Sequence, residues 1–215
     1  MKTRQEIKLQ AKENMGKQRG TAILIFLTLV AAGIIISLLS MIPYIGWLIS
    51  LAGSCIIIVL EVGLYAAFIS IYQNFLTSVN AVVASFQVNT LRKLGGMLWM
   101  ALWVFLWYLL LVVPGIIKFI SYSMTPYILA ECPNVTAKDA LKLSMRITEG
   151  HKCELFVAGL SFIGWLLLGA LTLHILTLVH VGPYMSTTFA GYYIELRNEA
   201  LRKGVIRPEE LGMAY

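Results

Sequence analysis

The chain has 215 residues, 59% of them hydrophobic and 13% charged, with a formal net charge of +6. A mean hydropathy of +0.79 excludes an ordinary soluble domain, and polar stretches of about twenty residues are too short to build a soluble core of their own. The basic residues lie between and beside the apolar runs, as topology and headgroup contacts do, so nucleic-acid binding is not expected.

Residues 1–20 hold six Lys/Arg and two Glu. Ile7, Ala11 and Met15 are spaced by four, which predicts a basic amphipathic helix lying on an anionic inner leaflet. A membrane domain is expected over 21–196, with spans at about 21–42, 46–72, 97–113, 116–130, 155–181 and 185–196. Between the second and third spans, 73–95 has apolar residues at helical spacing and predicts an interfacial amphipathic helix ending at Gly95-Gly96.

The stretch 96–130 carries one charged residue, Lys118. As a single helix it would run about 50 Å, well past a hydrocarbon core of about 30 Å. Proline lacks the helical N–H and glycine frees the chain, so Pro114 and Gly115 are expected to break it into a hairpin. Trp99, Trp103 and Trp107 recur every four residues and form one ridge of the first arm.

In the next segment, Thr136 and Asp139 resemble a capping box. Lys138, Lys142 and Arg146 share one face of the helix that follows, which suits lipid headgroups. Pro183 is expected to break the chain between the last two spans, and 197–215 reads as a charged tail. Basic residues number six at the N-terminus, two in 73–95, four in 131–154 and four from Arg197 onward. Six spans with both termini in the cytoplasm put all four clusters inside. The expected fold is therefore all-α: a polytopic bundle of about six transmembrane helices around a broken central hairpin.

Glu61 is the sharpest chemical signal, an acidic residue deep in an apolar span. At 100° per residue Ser50, Ser54, Glu61, Tyr65 and Tyr72 fall within about 60° of one another, which predicts an inward polar stripe. Such a stripe lines a cation or substrate path, or simply holds the bundle together by hydrogen bonds.

His174 and His180 are six residues apart, about 240° around a helix, and do not make one metal site. Cys132, His151 and Cys153 lack zinc spacing. With no nucleophile elbow, P-loop or paired carboxylates, no catalytic residue, metal or cofactor is expected.

The run Pro114-Gly115-Ile116-Ile117-Lys118, then Tyr122-Ser123-Met124, Pro126-Tyr127, Ala140-Leu141-Lys142 with Ser144, Gly150, Leu160 to Trp165 and Pro183-Tyr184 resembles a bacterial family of multi-spanning membrane proteins catalogued as domain of unknown function nine-seventy-five. The resemblance covers about 82 to 193. It implies a multi-pass protein of the bacterial inner membrane and carries over no catalytic residue.

The functional expectation is a non-catalytic accessory or structural protein, in contact with anionic inner-leaflet lipids and with a membrane-protein partner or a second copy of itself. A small transporter or channel built on Glu61 ranks second, and an intramembrane enzyme third.

Overall fold

A computed structural model describes residues 1–172 and 174–212, without the side chain of Ser85. Among them every regular element is helical. Helix α1, Arg4–Lys17, opens on a capping box: the Thr3 hydroxyl accepts from the Glu6 N–H, and the Thr3 N–H donates to the Glu6 carboxylate at 2.7 Å. Ile7, Ala11 and Met15 are indeed one face, but that face is buried in the protein, where α1 packs on later helices. The helix is not laid on lipid by its apolar side.

Helix α2 (Arg19–Leu39) and helix α3 (Gly46–Tyr72) form the first hairpin, through an uncharged turn with Tyr44 at φ 68°. Gly53 sets their approach, since a Cβ there would collide with Ile36 of α2. The long interfacial helix expected after α3 does not form. It is replaced by α4 (Val79–Val83) and a 3-10 turn, Ala84–Gln87, with Val82 buried and most of its neighbours exposed. Asn89, left-handed at φ 50°, then redirects the chain.

Helix α5, Thr90–Leu110, runs straight through Arg92, Lys93, Gly95 and Gly96, where a break was expected. Tertiary contacts override the glycine preference. Arg92 donates to the Leu129 and Val135 carbonyls at 2.7 and 2.6 Å, and Gly96 lets the Leu129 side chain lie on the helix, 2.6 Å from where a Cβ would stand.

The central hairpin exists, but Pro114-Gly115 is not its turn. The chain reverses at Leu111, extended at φ −163° and ψ 143°. Pro114 is the third residue of helix α6, Val112–Tyr122. In a first turn the N–H has no intrahelical acceptor, so proline starts this helix instead of ending one. Gly115 serves close packing, since a Cβ would stand 2.7 Å from the Tyr108 ring across the hairpin. Helix α7, Thr125–Glu131, continues α6 after a short offset.

Helix α8, Ala137–Ile147, starts where the capping signal predicts, with the Thr136 hydroxyl accepting from the Asp139 N–H at 3.2 Å. The single long span expected at 155–181 is instead α9 (Lys152–Leu160), α10 (Ile163–Leu171) and a π turn, Thr177–Val181. The reversal comes early, at His174, whose φ is 65° and whose N–H donates to the Gly169 carbonyl at 2.8 Å. Helix α11, Gly182–Arg202, follows the π turn directly, with Pro183 in its first turn. Pro183 breaks nothing, but for a different reason from Pro114: the backbone before it is already helical, and the wider π turn accommodates a residue that has no N–H to donate.

Five units are long and apolar enough to cross a membrane: Arg19–Leu39, Gly46–Tyr72, Thr90–Leu110, Val112–Glu131 and Lys152–Leu171. The expected sixth span, 185–196, lies within α11, which is not among them.

The polar segments gather into one assembly. Asn14 donates to the Tyr72 carbonyl at 2.8 Å, and Gln18 to that of Phe75 at 2.9 Å. Asn89 donates to the Pro133 carbonyl, His151 lies 3.4 Å from Glu199, and Arg146 pairs with Glu210 at 2.6 Å. Lys2 pairs with Glu195 at 2.9 Å, so α1 and the end of α11 sit side by side.

Candidate functional site

Inside the bundle lies a cavity of about 490 Å³, within the usual size of a small-molecule site. Glu61 and Tyr65 of α3 enter it from one side, and Tyr127 of α7 from another. Phe26, Phe119 and Phe189 supply aromatic wall, and Met97, Met100 and Met185 supply adaptable apolar wall. The buried Thr177 hydroxyl also reaches this lining and has no hydrogen-bond partner.

The Tyr65 hydroxyl donates to Glu61 Oε1 at 3.0 Å, one helical turn away. Among the described residues no basic side chain pairs with Glu61. Glu61 follows the start of α3 by fifteen residues, which places it about 22 Å along a helix of about 40 Å. An acid near mid-span, facing a cavity and lacking a cation, is the arrangement that marks ligand and ion sites in membrane proteins.

The predicted stripe divides. Glu61 and Tyr65 reach the cavity. Tyr72 is buried at the end of α3, where its hydroxyl donates to Gln10 at 3.1 Å and so pins α1. Ser50 and Ser54 are exposed, and the Ser54 hydroxyl turns back to the Leu51 carbonyl at 2.7 Å. Ser50 and Ser54 thus stay outside the packed part of α3, so a common helical face does not become a common environment.

Behind the cavity runs an aromatic and ionic series that the sequence did not disclose. The Tyr65 and Tyr127 ring centres are 4.6 Å apart, and Tyr127 stacks on Tyr193 at 5.4 Å. The Tyr193 hydroxyl donates to Glu131 at 2.6 Å, and Glu131 pairs with Arg197. Arg197 is buried, although by sequence it opens the charged tail. Its partner is 66 residues away, and no local spacing signals such a contact.

The three basic residues assigned to headgroups also separate. Lys138 and Lys142 are exposed beside the Trp ridge, while Arg146 turns to Glu210 and the Val205 carbonyl and fixes the segment after α11. Its nearness to Glu210 holds that carboxyl below its ordinary value. His174 is exposed at the reversal, outside the Glu61 cavity; His180 stacks on Tyr184. Cys132 is buried and Cys153 exposed, and among the described residues no three His, Cys, Asp or Glu side chains gather as a metal site.

The fold defines a helical membrane protein, and the Glu61 cavity is a ligand-sized site among its helices. Residues 109–200 match the family model described as Protein of unknown function (DUF975), the family that the order of motifs points to. The matched stretch opens just before the Leu111 reversal and ends inside α11, so it starts later than the motif reading near 82. No curated protein and no solved structure matches the chain.

Proposed function

We propose that this protein is a non-catalytic binding protein of the bacterial inner membrane, with both termini in the cytoplasm, and that the Glu61 cavity takes a lipophilic organic cation. The observation that carries the reading is an acid with no cationic partner among the described residues, in a mainly apolar and aromatic cavity. A carboxylate attracts an ammonium or phosphonium centre, and the faces of Tyr65 and Tyr127 add cation–π attraction of about 0.5–2 kcal/mol. Among the described residues the hydroxyls of Ser123, Thr177 and Ser186, which also line the cavity, make no hydrogen bond to Glu61, which favours binding over nucleophilic chemistry. After the reversal at His174 the π turn and α11 carry the chain back to the side of α1, where Lys2 meets Glu195, and this return, together with the four basic clusters, supports one cytoplasmic face for both termini.

Binding of tetraphenylphosphonium to the purified chain, measured by equilibrium dialysis, tests this. Glu61→Gln should weaken it at least about tenfold, the loss of one charge-assisted contact of about 1.5–3 kcal/mol. Equal binding by the two proteins would remove the basis of the proposal.

A transporter reading draws on a separate observation. The cavity is lined at Ser123, where α6 gives way to α7, and at Thr177, in the π turn before α11. Interrupted helices around a mid-membrane site are a transporter feature. Uptake of the same cation into proteoliposomes would distinguish transport from binding alone.

A further inference from the structure

We infer that a second site, on the outside of the bundle, holds one anionic phospholipid. A groove of about 350 Å³ runs along α5 where α6 and α8 meet it. The ridge of Trp99, Trp103 and Trp107 lines it together with Lys118, Lys138 and Lys142. Among the described residues no acidic side chain lines it. The Lys118 ammonium is 5.0 Å from the Trp107 ring centre and 6.0 Å from that of Tyr122. Lys138 lies 5.6 Å from Trp99. Among the described residues neither Lys118 nor Lys138 has an acidic partner, and Lys142 has only an exposed contact of 3.6 Å with Asp139.

Lys118 is the informative member. It sits within the apolar unit Val112–Glu131, where a cation needs compensation. Aromatic faces supply part of it, and an anion supplies the rest. The Lys118 and Lys138 ammoniums stand over Trp107 and Trp99, about two helical turns apart on α5, so the occupant needs a negative headgroup between them and an apolar tail to lie on indole. A lipid phosphate seated over the middle of the ridge, with its acyl chain against the indoles, meets both demands. Arg146, engaged with Glu210, takes no part. The groove shares no lining residue with the Glu61 cavity, so either site stands without the other.

The test uses the full chain in detergent with Trp47→Phe and Trp165→Phe, which leaves the three ridge tryptophans as the emitters. Brominated phosphatidylglycerol should quench them at about tenfold lower mole fraction than brominated phosphatidylcholine. Changing Lys118, Lys138 and Lys142 together to Gln should abolish that preference. Removing equal charge elsewhere, with Lys12→Gln, Lys152→Gln and Arg202→Gln, should preserve it. Should the triple groove variant fail to fold, Lys118→Gln alone should still cut the preference about threefold. Inorganic phosphate should not relieve the quenching. Equal quenching by the two lipids, a preference that survives loss of the groove lysines, or displacement by inorganic phosphate would each overturn the lipid assignment.

Discussion

Arg197→Met should be among the most damaging single changes outside the cavity. The Arg197 and Glu131 side chains are 10% and 20% exposed, and Tyr193 adds a third group to the same carboxylate. Removing one partner of a buried pair costs about 3–5 kcal/mol, because the other charge stays buried without compensation. Glu131 retains some exposure, so the lower end applies: about 3 kcal/mol, or a hundredfold and more in the folded-to-unfolded ratio. The assay is reversible unfolding by SDS titration in mixed micelles. Glu131→Gln should cost less, since Gln can still accept from Tyr193 and Arg197. The double variant should fall short of the sum of the singles by about 1.5 kcal/mol or more. An Arg197→Met protein within about 0.5 kcal/mol of the parent, or strict additivity, would show that the series behind the cavity does not hold α7 to α11.

Two further predictions concern the polar segments. Lys203, and then the N-terminal amine, hold the Glu199 carboxyl down at about 2 from an ordinary 4.5, so its contribution to stability is complete above pH 4.5 and disappears as pH falls toward 2. Thermal unfolding between pH 6 and pH 2.5 should therefore drop more steeply in the parent than in Glu199→Gln; parallel curves would count against the ion pairs around Glu199. In a Cys55→Ala background, Cys153 should stay unlabelled by an impermeant thiol reagent on sealed spheroplasts and react once they are permeabilised. Cys132 should stay dark in both states, since burial, with Glu131 nearby, pushes its thiol up to about 11. Labelling of Cys153 in sealed cells would reverse the proposed orientation.

Much of the architecture was legible because apolar length and capping chemistry are local. The helix at Gly46–Tyr72 and the Thr136 cap both follow from composition and spacing within one segment. The turns were less legible because proline has two opposite meanings. In a helix interior it breaks, and in a first turn it starts; only the extended Leu111 shows that Pro114 starts a helix, and only the π turn shows how Pro183 is carried within one. Gly95-Gly96 misled for a related reason, because a glycine that admits Leu129 looks the same in sequence as one that ends a helix. Arg146 reads as a headgroup contact and Arg197 as the start of a charged tail, and their distant partners Glu210 and Glu131 are what the sequence could not show.

Photolabelling tests the central claim, that the cavity beside Glu61 takes a lipophilic cation, most directly. A diazirine-bearing lipophilic ammonium, irradiated with the purified protein and mapped by peptide mass spectrometry, should mark residues that face the cavity, such as Glu61, Met97, Met100 and Met185. Excess tetraphenylphosphonium should remove that labelling, and Glu61→Gln should lower it about tenfold. Labelling confined to the exposed outer residues of α2 and α5, such as Leu38 and Leu109, and indifferent to both competitor and variant, would contradict the account.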